Sequence, residues 1–507
     1  MSLLRGVKIL PAHWHGPLAA ALLVAVAAAA SEAPAPAAAP AAAAASPAAG
    51  DERAQAHAEF RRLFEAGDYA AAAEQGRKVV ELTEGAPAAH GEELQVALMN
   101  LALAEQRAGD YLAAEAGYQR VIELVEASGR TTSPRLARAY AGLGVTYHAA
   151  RRYDLAAPTL GHAIALSRRA EGLFNEGQLL LLDQQTDALT ELGRLEEALV
   201  AQRYSLRIVG RHAGERSLPF AHRLESIGRW YTRVRSFEAG RATLRRAAEL
   251  AEAVAGPDST ALVGPLEGLA ENARRWLTDP AIRQLEAAND PRSTMFHDPV
   301  MPTPPGLSPS TIAAEGLRAL ERAATIVDAH PDASPGTVAG VHSQLGDWHT
   351  ARGAPERARP GYERAWQAAG NAPDGAQLRQ ALFGAPQLIR YVPPDHWDRY
   401  ATRPSEEVVR IDIEVELTVT PDGGVRDPRV VGGGDDARLA EQAVRAAGTA
   451  RYRPRMEDGQ LVETTGVRLV QPYYVLRGDQ PAAQPDPAPA EAAPGASPAT
   501  PPPQGPG

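Results

Sequence analysis

Tyr69, Tyr111, Tyr153, Leu195 and Phe237 follow one another at a fixed spacing of 42 residues. A period of this length marks stacked two-helix units, each too small to bury its own apolar face and each leaning on the next. It constrains this part of the chain to a quasi-linear helical array rather than one globular core. Around every rung the apolar positions step by three and four, the helical period, as in Leu98, Leu101 and Ala102. A small residue recurs where two helices must approach closely: Ala72, Ala114, Ala156, Ala198 and Gly240. Short polar turns such as Ala66-Gly67-Asp68 separate the helices of a pair, with glycine where positive φ is needed. The ladder stumbles at Asp279-Pro280 and resumes at Ala313, Gly316, Leu320 and Ala323, which implies a sixth unit split by an insertion. A seventh unit follows with Leu345, Gly346, Trp348 and Tyr362.

These residues resemble the tetratricopeptide repeat, with its Leu-Gly pair, Tyr, small residue and aromatic at set offsets; the longer spacing is similar to that of kinesin light chains. The resemblance runs over about residues 51 to 370. The fourth unit departs from the pattern, having Gln185-Thr186 in place of Leu-Gly. The fold implied is mostly α: a solenoid of about seven helix pairs.

After Tyr391-Val392-Pro393-Pro394 the pattern changes from period 3.6 to period two. Val409, Ile411, Ile413, Val415, Leu417 and Val419 alternate with Arg410, Asp412, Glu414, Glu416 and Thr418, a strand with one wet, charged face. Thr420-Pro421-Asp422-Gly423-Gly424 turns the chain into a second strand over 425–431. Asp435 and Asp436 offer an N-cap to a helix carrying Leu439, Ala443, Val444 and Ala447. A last strand is expected from Leu461 through Val467 to Tyr474, giving a small α+β domain of order ββαβ.

The Thr-Pro-Asp-Gly turn, Leu439 and Ala443, Tyr452-Arg453-Pro454 and Asp458-Gly459 together resemble the TonB carboxy-terminal domain, over about residues 388 to 478. In that family the final strand presents an open edge to which a receptor's extended peptide adds as a further strand. Carried over, the edge is Gly466, Val467, Arg468, Leu469, Val470 and Gln471, with Pro472 blunting it beyond. The family's Tyr-Pro element is represented here only by Tyr400-Ala401 or by Tyr391-Val392-Pro393.

The organisation read from the chain is an export signal over 1–30, an Ala/Pro linker over 31–50, repeats over 51–279, an insertion over 280–312 and the end of the array over 313–370. A connector follows over 371–387, then the sheet domain over 388–478 and a Pro/Ala tail over 479–507. Arg5 and Lys8 precede an apolar run from Leu18 to Ala30, which is short of the ~20 residues that span a bilayer. Periplasmic residence is expected, with inner-membrane anchoring as the alternative if the segment stays uncleaved. A chain free of cysteine has no disulfides and no lipid-anchor thiol. With a net charge of −10 and no basic stripe along the array, nucleic acid is not an expected partner.

Inner faces of the first helices are expected to form a groove from Met99, Asn100 and Leu103; Arg138, Val145 and His148; Asp183 and Asp187; and Glu225, Arg229 and Arg233. Asn100 resembles the asparagine with which kinesin-light-chain repeats hold a peptide backbone. The functional reading is a mixed-charge groove for a peptide or partner helix, and the bland one a solvated face. Tyr111, Tyr118, Tyr153 and Phe237 are expected to pack the core. The thirteen histidines are scattered; His342 and His349 share a helix face but lack metal-site company. No serine elbow, phosphate loop or zinc-protease helix occurs, and His297-Asp298 is a lone pair among prolines. No catalysis, metal or cofactor is expected. Two functions stand open: an exported adapter for envelope proteins or peptides, and a divergent energy transducer serving an outer-membrane receptor.

Overall fold

The computed structural model describes residues 47–85, 91–130, 132–279, 308–394, 397–398, 400, 403 and 407–477. The expected export signal, most of the two low-complexity segments, and most of the 280–312 insertion with His297-Asp298 lie outside them. Ala401 of one expected Tyr-Pro equivalent also lies outside.

Each rung of the ladder is the first residue of a second helix. The first two pairs are α1 (Pro47–Glu65) with α2 (Tyr69–Glu84), and α3 (Glu92–Ala108) with α4 (Tyr111–Ala127). The next two are α5 (Pro134–Ala149) with α6 (Tyr153–Glu171), and α7 (Gln178–Glu191) with α8 (Leu195–Ala213). The fifth is α9 (Leu218–Arg233) with α10 (Phe237–Ala255). Asp68 and Asp110 cap α2 and α4 by accepting the amides of Ala71 and Ala113. One residue before each cap the backbone is left-handed: Gly67, Gly109 and Gly193 in three turns, but Arg151 (φ 58°) and Arg235 (φ 63°) in the other two.

Side-chain size explains the pairing. Ala72, Ala114, Ala156 and Ala198 are wholly buried at the crossing, and a methyl added to Gly240 would lie 2.7 Å from the Asn272 amide nitrogen. Gly144 abuts Leu160, Gly228 abuts Leu244 and Gly346 abuts Tyr362, an offset of 16 residues each time. Burying each such large side chain stabilises by about 1.5–3 kcal/mol. In the fourth pair the same two places hold Thr186 and Gln202, both buried, and neither Thr186 Oγ1 nor Gln202 Oε1 has a hydrogen-bond partner among the described residues. That pair is stitched less well than its neighbours.

The sixth pair joins α11 (Val263–Thr278) to α12 (Pro309–Ala329) across the insertion. Leu320 and Ala323 are buried, and Glu315 of α12 binds Arg241 at 2.5 Å. The seventh pairs α13 (Pro335–Ala351) with α14 (Pro355–Gly370), and α15 (Gly375–Phe383) follows in the stretch read as a connector. First helices of neighbouring pairs approach one another more closely, α3 with α5, α5 with α7 and α9 with α11, than second helices do, the latter being joined by long side chains such as Arg120–Glu84 and Arg241–Glu315. The first helices thus line the inside of the curve.

The sheet domain is a separate unit. Strand β2 (Val408–Val419) lies between β3 (Val425–Gly432) and the last strand, all antiparallel, with helix α16 (Ala437–Gly448) on one face. Ile413, Val415, Leu417 and Val419 bury against Leu439, Ala443 and Ala447, as the period of two requires. Asp436, not Asp435, caps α16. Four short strands add to the ββαβ core: β1 (Gln387–Arg390) pairs with β4 (Arg451–Arg453), and β5 (Arg455–Glu457) with β6 (Gln460–Val462). The final strand is β7 (Thr464–Leu476), so the expected run from Leu461 is broken at Glu463. Residues up to 462 are taken by pairing with β5, and only from Thr464 does the chain pair with β2.

Candidate interaction surfaces

The expected groove residues all fall on first helices, in two chemically different stretches. Met99, Asn100 and Leu103 on α3, with Val145 on α5, are half-buried. Met99, Leu103 and Val145 rest against the core with part of their apolar surface uncovered. Between α1, α3 and the start of α5 opens a cavity of about 450 Å³, lined among others by Arg53, His57, Thr83, Val96, Asn100 and Arg135. Its rim is tied by Arg53–Glu93 at 2.8 Å and by Arg135 to Gln95 at 2.8 Å. The Asn100 carboxamide makes no hydrogen bond among the described residues. Arg138 is exposed and likewise carries no ion pair among them.

The rest of the inner face neutralises itself. Asp183 accepts two hydrogen bonds from Arg223, at 2.6 and 3.2 Å. Asp187 pairs with Arg233 at 2.6 Å, and Glu225 with Arg229 at 2.9 Å, while Arg229 also donates to the Gly264 carbonyl. Asp183–Arg223 and Asp187–Arg233 thus clasp α7 to α9, and Glu225–Arg229 is a pair within α9, so none of these charges is a free ligand contact. His148 stacks edge-on with Tyr153 at 5.6 Å, and burial pulls its pKa below the usual histidine value against the acidic influence of Asp187 and Glu191. Glu267, which sequence reasoning passed over, accepts from Gln344 at 2.6 Å, and burial pushes its carboxyl up to about 7. The signal was available: Met99, Asp183, Glu225 and Glu267 occupy the same place in the 42-residue frame. Val96, Arg138 and Leu180 share another such row, and Val96 and Leu180 are among the exposed large apolar residues.

At the sheet edge the backbone alternation decides what is available. Arg477 donates its amide to the Glu407 carbonyl of the strand side, while Tyr474 donates outward to the Trp397 carbonyl. Counting back, Val467, Leu469 and Gln471 turn their backbone groups inward to β2, and Arg468, Val470 and Pro472 turn theirs outward. Half of the expected edge residues are therefore already used within the sheet. Gly466, at φ 70°, sits in the bulge where the β2–β7 register shifts. Pro472 occupies an outward position and lacks an N–H, and its carbonyl accepts from the Gln471 side chain at 2.6 Å. Tyr391 donates its hydroxyl to that same Gln471 side chain at 2.5 Å. Among the described residues the unoccupied edge is Arg468 and Val470.

His342 is buried and contacts Asp328 at 3.1 Å, and no cluster of three metal-ligating side chains exists among the described residues. Tyr118 and Phe237 are buried, whereas Tyr111 and Tyr153 are half-buried at the helix starts.

The family described as Tetratricopeptide repeat matches residues 93–169, and the family described as Gram-negative bacterial TonB protein C-terminal matches residues 412–470. No curated protein matches the chain in sequence. Among solved structures, a Podosopora anserina protein of kinesin-light-chain type with nearly identical TPR-like repeats is similar at 16% identity and TM-score 0.36, over 40% of this chain and 95% of that one. BtubC (BKLC) from P. vanneervenii is similar at 17% identity and TM-score 0.31, over 63% and 91%. The TPR2AB domain of yeast Sti1, in complex with pHSP90, is similar at 14% and 0.23, over 65% and 96%. The chain thus carries tetratricopeptide repeats and, after them, a domain matching the TonB carboxy-terminal family.

Proposed function

We propose that the chain is a non-catalytic, exported scaffold of the periplasm, holding a peptide or helix of another envelope protein on the inner face of its second and third repeats. The observation that carries this reading is Asn100: a half-buried carboxamide without a partner among the described residues, beside the cavity between α1 and α3. Partly uncovered Met99, Leu103 and Val145 accept apolar side chains of the ligand, and Asn100 pairs with its backbone. The charged stretch beyond contributes little, because its ions are already matched to one another. Peptides selected from a displayed library on the full chain should bind Asn100→Ala about tenfold more weakly. Unchanged affinity, with the melting point intact, would overturn the placement.

A second reading rests on the backbone left open at Arg468 and Val470 in a TonB-like domain. Here the amino-terminal segment stays in the inner membrane and the edge serves an outer-membrane receptor. The mass of the mature chain separates the two. A start near Ser31 removes the anchored transducer, and retention of Leu18 to Ala30 removes the free scaffold.

A further inference from the structure

Towards the carboxy-terminal ends of α6 and α8, three arginines lie against aromatic rings rather than carboxylates. Arg168 at the end of α6 lies 4.0 Å from the centre of the Tyr204 ring, and Arg207 lies 5.4 Å from the same ring. Arg211, one turn further along α8, sits 5.7 Å from the Phe174 ring, which itself stacks with Tyr204 at 6.5 Å. Among the described residues none of these three guanidinium groups has a carboxylate partner, and the buried Arg168 Nε has no acceptor. Glu171, the acid nearest to Arg168 in sequence, is occupied by Ser167 and Asn175. On a chain of net charge −10, whose arginines elsewhere are so often clasped to acids, three uncompensated cations around two rings form a local anion receptor.

The geometry adds to the charge. Guanidinium groups laid against aromatic rings are held flat and lose little freedom when they take an anion, and their fork fits phosphate bidentately. Val200, Arg203, Arg207 and Arg211 step by three, four and four along α8, so they share one exposed stripe. Val200 is 64% exposed and Leu173, beside Phe174 in the preceding loop, 62%. Arginines flanked by uncovered aliphatic side chains on a convex helix face suit a layer that is anionic outside and apolar beneath.

We propose that this face seats the protein on an anionic phospholipid surface, with Arg168, Arg207 and Arg211 binding lipid phosphates and Leu173 and Val200 entering the headgroup layer. The site is independent of the inner groove, so ligand binding there and lipid binding here fail or succeed separately.

The test is sedimentation of the full chain with phosphatidylcholine vesicles, with or without phosphatidylglycerol, at low and high salt. Binding should require phosphatidylglycerol and fall with salt. Each arginine near such a surface is worth roughly fivefold, so R207Q/R211Q should partition about 25-fold more weakly. The charge-matched variant R352Q/R359Q, altered on other exposed unpaired arginines, should bind as the parent does. Equal partition of R207Q/R211Q and parent would overturn the proposal, since binding would then come from another part of the chain. Equal loss in both double variants would reduce it to net charge. Competition by polyglutamate as effective as that by phosphatidylglycerol vesicles would also overturn it, in favour of an acidic protein partner.

Discussion

Arg151 and Arg235 hold a left-handed backbone that glycine holds in the equivalent turns of other pairs. A Cβ in this region costs roughly 1 kcal/mol. Arg235 offsets that cost by donating twice to Asp279, both at 2.7 Å, fixing the turn to the end of α11. Arg151 is exposed and makes no such contact among the described residues. Arg151→Gly should therefore stabilise by about 0.5–1 kcal/mol, raising the melting midpoint by about 1–2 °C. Arg235→Gly should lower it, because Asp279 loses its partner. Calorimetry on both variants checks the pair of opposite signs. The ladder made these turns legible, since every rung sits two residues after the left-handed position. What it did not disclose is which arginine has an anchor 44 residues away.

Strand β7 shows how a single element serves two purposes on alternate residues. Val470→Pro removes only an outward N–H, as Pro472 already does, and should leave the melting point nearly unchanged while abolishing capture of an extended peptide at the edge. Leu469→Pro removes an amide that pairs with β2 and should cost about 3 kcal/mol. A melting curve that falls equally for both would show that the edge is not where the alternation puts it. The period of two in β2, the Asp422-Gly423 turn and the capped helix were readable because side-chain alternation and cap chemistry are local. The short strands β1, β4, β5 and β6 were not, since three or four residues carry no period. Nor does a strand's sequence say which of its alternating backbone groups meet a neighbour; that needs the partner's register.

Across the whole array, stability should depend on pH through Glu267. Burial raises its folded pKa to about 7, while the unfolded chain titrates near the ordinary ~4.3. Between those values the folded state keeps a proton that the unfolded state releases, so stability falls as pH rises through this window and is level above it. The loss should be about 3–4 kcal/mol. Glu267→Gln should flatten that slope and melt higher than the parent at pH 8; an unaltered slope would remove Glu267 as its source. The overall architecture was legible because 42-residue spacing survives any amount of surface change. The clasps between first helices were not, because Asp183–Arg223 and Asp187–Arg233 become neighbours only once the units stack. In such a stack each unit communicates only with the next, so resistance to opening is set by the poorest joint. The Thr186 hydroxyl and the Gln202 side-chain oxygen, unbonded among the described residues, mark that joint. Under load or warming the array should part at its fourth unit first, leaving the apolar end of the groove and the clasped end each in one piece.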